Sequence, residues 1–145
     1  MSIPRRDWRP TRLITAEDRA HLEAVGLAPV ILQEYVAGLD VRVIAVGQLL
    51  FAAEFDARAT RSPEDYREAL DECPVRPASL PPALAAGLHR LLGSLGLTYG
   101  AIDLRRREDG SYAFLEVNPS GLWRFVEERT GLPISEALAR ELLAA

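Results

Sequence analysis

The chain has 145 residues, 48% of them hydrophobic, which is enough for one compact domain with its own core and too few for two ordinary ones. Its 17 basic and 21 acidic side chains leave a net charge of -4, so it presents no field that would draw in nucleic acid or an anionic membrane. No run approaches the roughly 20 apolar residues of a membrane helix, the N-terminus has no apolar stretch resembling a signal peptide, and Cys73 has no second cysteine to pair with, which together point to a reducing, cytoplasmic setting.

Residues 1–12 are rich in Arg and Pro and show no period, so they are expected to be a mobile arm or a severed connection, with one domain over 13–145. Thr15 followed by Glu17 and Asp18 predicts a capped helix start, with the helix ending near Gly26. Val30 to Val36 is apolar and β-prone. Asp40 to Val46 alternates, Gly47-Gln48 breaks the pattern, and a further run reaches Phe55, so adjacent antiparallel strands are expected. From Asp56 to Pro82 charges and prolines dissolve the pattern, and Ser62-Pro63-Glu64 marks the start of one short helix. Leu84, Leu88, Leu91, Leu92 and Leu95 then share one helical face, stopped by Gly96. Thr98 to Arg105 and Ser111 to Asn118 read as a strand pair around an Asp109-Gly110 turn. Helical segments over about Trp123 to Arg129 and Ser135 to Leu143 close the chain. The fold class is α+β, a mainly antiparallel sheet packed with helices.

The second hairpin carries the chemistry. With Asp109 and Gly110 as the two turn residues, Asp103 falls directly opposite Glu116. Like charges that face each other at roughly 5 Å are destabilising unless compensated, and a divalent cation would compensate them. Strand alternation brings Asn118 to the face of Glu116, adding a neutral oxygen. Three hard oxygen donors suit Mg²⁺, which keeps waters and shares its other positions with phosphates. The same pattern also fits two solvated acids neutralised by neighbouring arginines. Leu104, Leu115 and Val117 mark one buried face, whereas Tyr112 and Phe114 line the acidic one.

Gly100-Ala-Ile-Asp103 followed by Phe114-Leu-Glu-Val-Asn-Pro-Ser-Gly121 resembles the closing metal motif of the ATP-grasp ligases. Upstream, Gln33-Glu-Tyr-Val36, Asp40-Val-Arg42 and Val46-Gly47 resemble the adenine-binding linker and the Asp-x-Arg strand of the same superfamily. The likeness extends over about residues 28–143. It is similar to the branch containing ribosomal-protein glutamate ligases and, through Trp123 and Glu127-Glu-Arg-Thr-Gly-Leu-Pro-Ile134, still more to the macrocyclising ligases of graspetide (microviridin-like) peptides. The resemblance implies the C-terminal subdomain of the ATP-grasp fold and an ATP- and magnesium-dependent ligase. Such an enzyme joins a peptide or protein carboxylate to an amine or alcohol through an acyl-phosphate. It implies that Glu34 and the Tyr35-Val36 backbone hold adenine and that Asp40 reaches the ribose. Arg67 would contact the nucleotide phosphates, and Arg42 would face the phosphates or the acyl-phosphate. Asp103, Glu116 and Asn118 would carry magnesium.

Each role has an ordinary alternative. Glu34 and Asp40 also fit a strand end with solvated acids, and most arginines in a chain whose 17 basic residues are all arginine are surface charge, a class to which Arg58, Arg61 and Arg105 to Arg107 are assigned. Arginine's planar fork of donors nevertheless matches phosphate oxygens, which makes Arg42 and Arg67 chemically apt. His21, His89 and Cys73 have no partner at catalytic spacing. Trp8 is a candidate anchor for a partner, and Trp123 is expected to pack the end of the metal loop. A complete ligase of this type also carries an N-terminal domain and a lid with a phosphate-contacting lysine. Both are expected to be absent here, so the chain is expected to be a fragment of a longer ligase, ahead of one half of a split enzyme completed by another chain. The rival reading is a non-catalytic nucleotide-binding or peptide-recognition module, or an inactive remnant.

Overall fold

The computed structural model describes residues 11–26 and 30–144. Most of the expected N-terminal arm, and Trp8 with it, lies outside the described residues. Thr15 caps a short helix, α1 (Ala16–Arg19). Its hydroxyl accepts from the Asp18 amide while the Asp18 carboxylate accepts from the Thr15 amide, a reciprocal pair that satisfies two free donors. The α-helix stops four residues in, and a 3₁₀ turn over Leu22–Gly26 takes over. No residue of α1 is buried, so no packing sustains the longer helix that the sequence predicts.

A five-stranded sheet organises everything else. Strands β1 (Leu39–Val46), β2 (Leu49–Phe55), β3 (Val75–Ala78), β4 (Tyr99–Arg106) and β5 (Tyr112–Asn118) pair antiparallel in the order β3-β2-β1-β4-β5. The expected α+β class is the observed one. β1 and β2 are joined by the two-residue turn Gly47-Gln48, where Gly47 takes a positive φ of 54°. In contrast to the sequence reading, Val30 to Val36 forms no strand. It pairs with no strand of the sheet, and Ile31 is 92% exposed. β3 was not predicted; its four residues include Pro77, which an edge strand tolerates because the missing donor faces away from the ladder.

Central β1 is buried on both faces. Its odd-numbered Val41, Val43 and Ala45 pack with Ala52, Ile102 and Leu104 under α2 (Pro82–Ser94), which contributes Leu88 and Leu92. Burying each such leucine stabilises by roughly 1.5–3 kcal/mol. Of the stripe read from the spacing, Leu84 packs with Leu88 and Leu92 in this core, whereas Leu91 is half-buried and belongs to neither core cluster and Leu95 lies beyond the helix, half exposed; Leu97 joins the core after Gly96 (φ 66°). On the opposite face, even-numbered Ile44 and Val46 join Ala53, Phe55 and Ala101. Val126 of α3 (Arg124–Thr130) and Ile134 and Ala137 of α4 (Ile134–Ala144) cover them. Trp123, expected to pack the end of the metal loop, is partly buried against this second core. The two helices cover only one end of that face. At the other end the even-numbered positions of β1 become Asp40 and Arg42.

Candidate functional site

On the face left open by α3 and α4, two oppositely charged pairs lie side by side across β1 and β4, because the register sets Asp40 opposite Arg105 and Arg42 opposite Asp103. Arg42 donates from one nitrogen to both Asp103 oxygens at 2.7 Å, and Arg105 donates to Asp40 Oδ2 at 2.6 Å. These side chains are 6–15% exposed. Charges withdrawn from water to this extent persist only when paired. Burial outweighs Arg105 at Asp40 and leaves its carboxyl above the usual carboxylate range.

One strand further, Asp103 faces Glu116, as the sequence reading requires, but by a different route. The turn is a residue longer than assumed: Arg107 N–H donates to the Ser111 carbonyl at 2.8 Å, leaving Glu108, Asp109 and Gly110 in the loop, with Gly110 at φ 81°. A bulge at Leu115, between the pairs Asp103↔Glu116 and Leu104↔Phe114, then takes up the extra residue. Two one-residue departures cancel, and the acidic pair is restored. Side chains on the turn side of the bulge are reversed: Tyr112 packs on the α2 side with Leu104 and Val117, and Leu115 turns to the acidic side beside Glu116.

A cleft of about 510 Å³ opens over this surface, within the range of small-molecule sites. Among the residues singled out from sequence, Glu34, Tyr35, Val36, Asp40, Arg67, Asp103 and Glu116 line it, whereas Arg42 and Asn118 do not. Arg12, Tyr66 and Arg105 contribute to its wall as well. Tyr66 stacks on Phe55 with ring centroids 4.2 Å apart, and burial, reinforced by the charge of Asp103, raises its phenol well above the ordinary value. Arg67 grips the buried Asp65 through two bonds, 2.7 and 2.9 Å, while half of its side chain stays exposed at the cleft.

Arg42 is committed elsewhere. Its second terminal nitrogen donates to the Leu122 carbonyl at 3.1 Å, its guanidinium lies 5.9 Å from the Phe125 ring centroid, and its buried Nε has no partner among the described residues. The loop it holds is pressed onto the sheet: a Cβ at Gly121 would lie 2.5 Å from that of Ala101, and Tyr99 donates to the Gly121 carbonyl at 2.6 Å. Asn118 pairs with Ala101, and its Oδ1 accepts from the Ser120 amide and hydroxyl, at 2.9 and 3.3 Å, shaping the same loop.

Among the described residues no three His, Cys, Asp or Glu side chains are arranged as a metal cluster. The oxygen set Asp103, Glu116 and Asn118 nevertheless fits a hard cation in kind. Glu116 is exposed and has no partner among the described residues, and each Asp103 oxygen accepts one bond from Arg42 and keeps a second lone pair; Asn118 Oδ1 accepts from both the amide and the hydroxyl of Ser120, so ligating a cation would require it to release the longer, 3.3 Å hydroxyl bond.

Arg105 is the residue that the sequence reading missed, having assigned it to surface charge. It is 5% exposed and bonds Asp40 and the Val36 carbonyl. The available signal was strand alternation, which sends Arg105 to the face of Asp103.

No protein-family model matches the chain, and no curated protein matches it. Solved structures do. The macrocyclase MdnC of Microcystis aeruginosa MRC, bound with precursor peptide MdnA, aligns at 32% identity and a TM-score of 0.75, over 90% of this chain and 42% of its own. The ATP-grasp ligase PsnB, complexed with a phosphomimetic variant of minimal precursor, Mg and ADP, aligns at 25% identity and a TM-score of 0.73, over 92% and 43%. The RiPP-associated ATP-grasp ligase of Chryseobacterium gregarium, in complex with ADP and a leader and core peptide, shares the fold at a TM-score of 0.82 and 23% identity, over 92% and 41%. The chain spans about two-fifths of the length of each of these three. It therefore has the fold of part of an ATP-grasp ligase of the RiPP type.

Proposed function

We propose that this chain forms the nucleotide- and metal-binding part of a ligase that joins a carboxylate of a ribosomal peptide to an amine or alcohol at the expense of ATP. The observation that carries the reading is the cleft in which the 33–36 linker, Asp40, Arg67 and the Asp103–Glu116 pair converge. The solved ligases of the same fold support it, PsnB with Mg and ADP and MdnC with a precursor peptide. In this reading Glu34 and the Tyr35-Val36 backbone meet the adenine, and Asp40 accepts from a ribose hydroxyl. Arg67 meets the phosphates with its exposed side.

Magnesium, held by Asp103, Glu116 and Asn118, would supply a counter-charge for the phosphoryl group in transfer. Arg42, behind Asp103, fixes that carboxylate and ties it to the 119–122 loop; a direct phosphate contact would require it to leave Asp103. The γ-phosphoryl passes to the peptide carboxylate, giving an acyl-phosphate and ADP. An amine or hydroxyl then attacks the acyl carbon and expels phosphate. No protein side chain acts as nucleophile, so the chain's contribution is positioning and charge. The absence of lysine leaves the phosphate-contacting lysine of such ligases to another part of the enzyme. A reducing, cytoplasmic setting suits the buried free thiol of Cys73.

The test is ATP turnover by the chain supplied with the remaining part of such a ligase and a carboxylate-bearing precursor peptide. ADP release that depends on the peptide, with loss of one water in the peptide's mass, is expected. Binding of Mg-ATP without peptide-dependent turnover would favour a nucleotide-binding module instead.

A further inference from the structure

The segment that would face the adenine is weakly held. Val30 to Gly38 belongs to no strand, and Ile31, Leu32 and Tyr35 are 92%, 60% and 51% exposed. Among the described residues, a single hydrogen bond reaches residues 30–37: the Arg105 Nε–H donates to the Val36 carbonyl at 2.9 Å. The same guanidinium donates to Asp40 Oδ2 at 2.6 Å and lies 5.8 Å from the centroid of the Tyr35 ring. One planar cation thus touches the linker backbone, a linker side chain and the carboxylate at the start of β1. Its own position is set by the β1–β4 register, which opposes Arg105 to Asp40 within the paired strands.

Resting on the reading above, we propose that Arg105 is a positioning residue that clamps the 33–36 linker to the sheet and thereby sets the affinity for the adenosine end of the nucleotide. Arginine suits the task because its fork makes two bonds in fixed directions while its face stacks on an aromatic ring. A lysine at this position would still neutralise Asp40, but its ammonium on a flexible stem would not reproduce the paired geometry. Arg105→Lys therefore separates the clamp from the buried charge balance.

Backbone ¹⁵N relaxation on the full chain reads the clamp directly. In the unmodified chain the amides of residues 34–36 are expected to be rigid, with order parameters near the roughly 0.85 of ordered backbone, and in Arg105→Lys they fall below about 0.6. Values for β1 and β4 stay unchanged, which marks the variant as folded. Calorimetry with Mg-ATP is then expected to show affinity about tenfold weaker in Arg105→Lys, the scale of one charge-assisted hydrogen bond. Tyr35→Leu, which removes only the ring contact, gives a smaller change in the same direction. A linker whose order parameters are the same in both proteins overturns the clamp, and so does a loosened linker with unchanged nucleotide affinity. If the linker loosens but the unmodified chain binds no nucleotide at all, the clamp stands and the functional reading falls.

Discussion

Removing Asp103 strands a guanidinium that is 9% exposed and whose Nε already has no partner among the described residues. Truncating one partner of such a pair costs about 3 kcal/mol, whereas replacing both with apolar groups is close to neutral. Asp103→Ala is therefore expected to lower stability by about that amount, and Asp103→Ala with Arg42→Met to recover most of it, as read from urea midpoints at constant slope. Additive losses in the double variant would show that the two side chains are not coupled. Cys73 gives a second test. Burial raises its thiol from an ordinary value near 9 to about 11, so across that interval the folded chain holds a proton that the unfolded chain has released. Stability is then full below about pH 9 and declines as pH rises toward about 11. Unfolding measured at about pH 8 and about pH 10.5 is expected to differ less in Cys73→Ala than in the unmodified chain. Much of the cleft was readable at this scale, because carboxylates in register on one strand face declare themselves by spacing. What escaped was commitment: nothing in the order of residues says that Arg42 is spent on Asp103 and Leu122, or that Arg105 is buried.

Elements were legible where period and punctuation agreed. The Gly47-Gln48 hairpin, α2 with its Gly96 stop and the two closing helices follow from alternation, leucine spacing and glycine placement. Val30 to Val36 misled because β-propensity reports a fit to a half-buried pleat and not the presence of a partner strand. Its path depends instead on Gly38, which has a φ of 142° and where a Cβ would lie 2.1 Å from the Arg106 carbonyl oxygen. Gly38→Ala must displace backbone. It is expected to cost about 1–3 kcal/mol and to detach the linker from β4, which a fall in melting temperature together with loosened amides in residues 34–36 would reveal. Unchanged melting would mean that the linker reaches the cleft by some other path. The β4–β5 hairpin carries the complementary lesson. Its turn signal was real, yet the longer loop and the Leu115 bulge are each a one-residue departure from it, and only their cancellation kept Asp103 opposite Glu116.

For the molecule as a whole, the cleft forms where helices leave one end of a sheet face uncovered, so the positions of β1 and β4 that continue the core become its charged floor. The chain spans about two-fifths of the solved ligases that share its fold, and among the described residues no helix is long and apolar enough to cross a membrane. We propose that this floor binds a magnesium nucleotide. Glu116 offers the cleanest test: it is exposed and unpaired among the described residues, so Glu116→Ala should change stability by no more than about 0.5 kcal/mol. Calorimetry of Mg-ATP on the chain and on Glu116→Ala is expected to show saturable binding at or below about 1 mM nucleotide, weakened at least about tenfold by the substitution. No binding at millimolar Mg-ATP, or equal affinity in the two proteins, would contradict it.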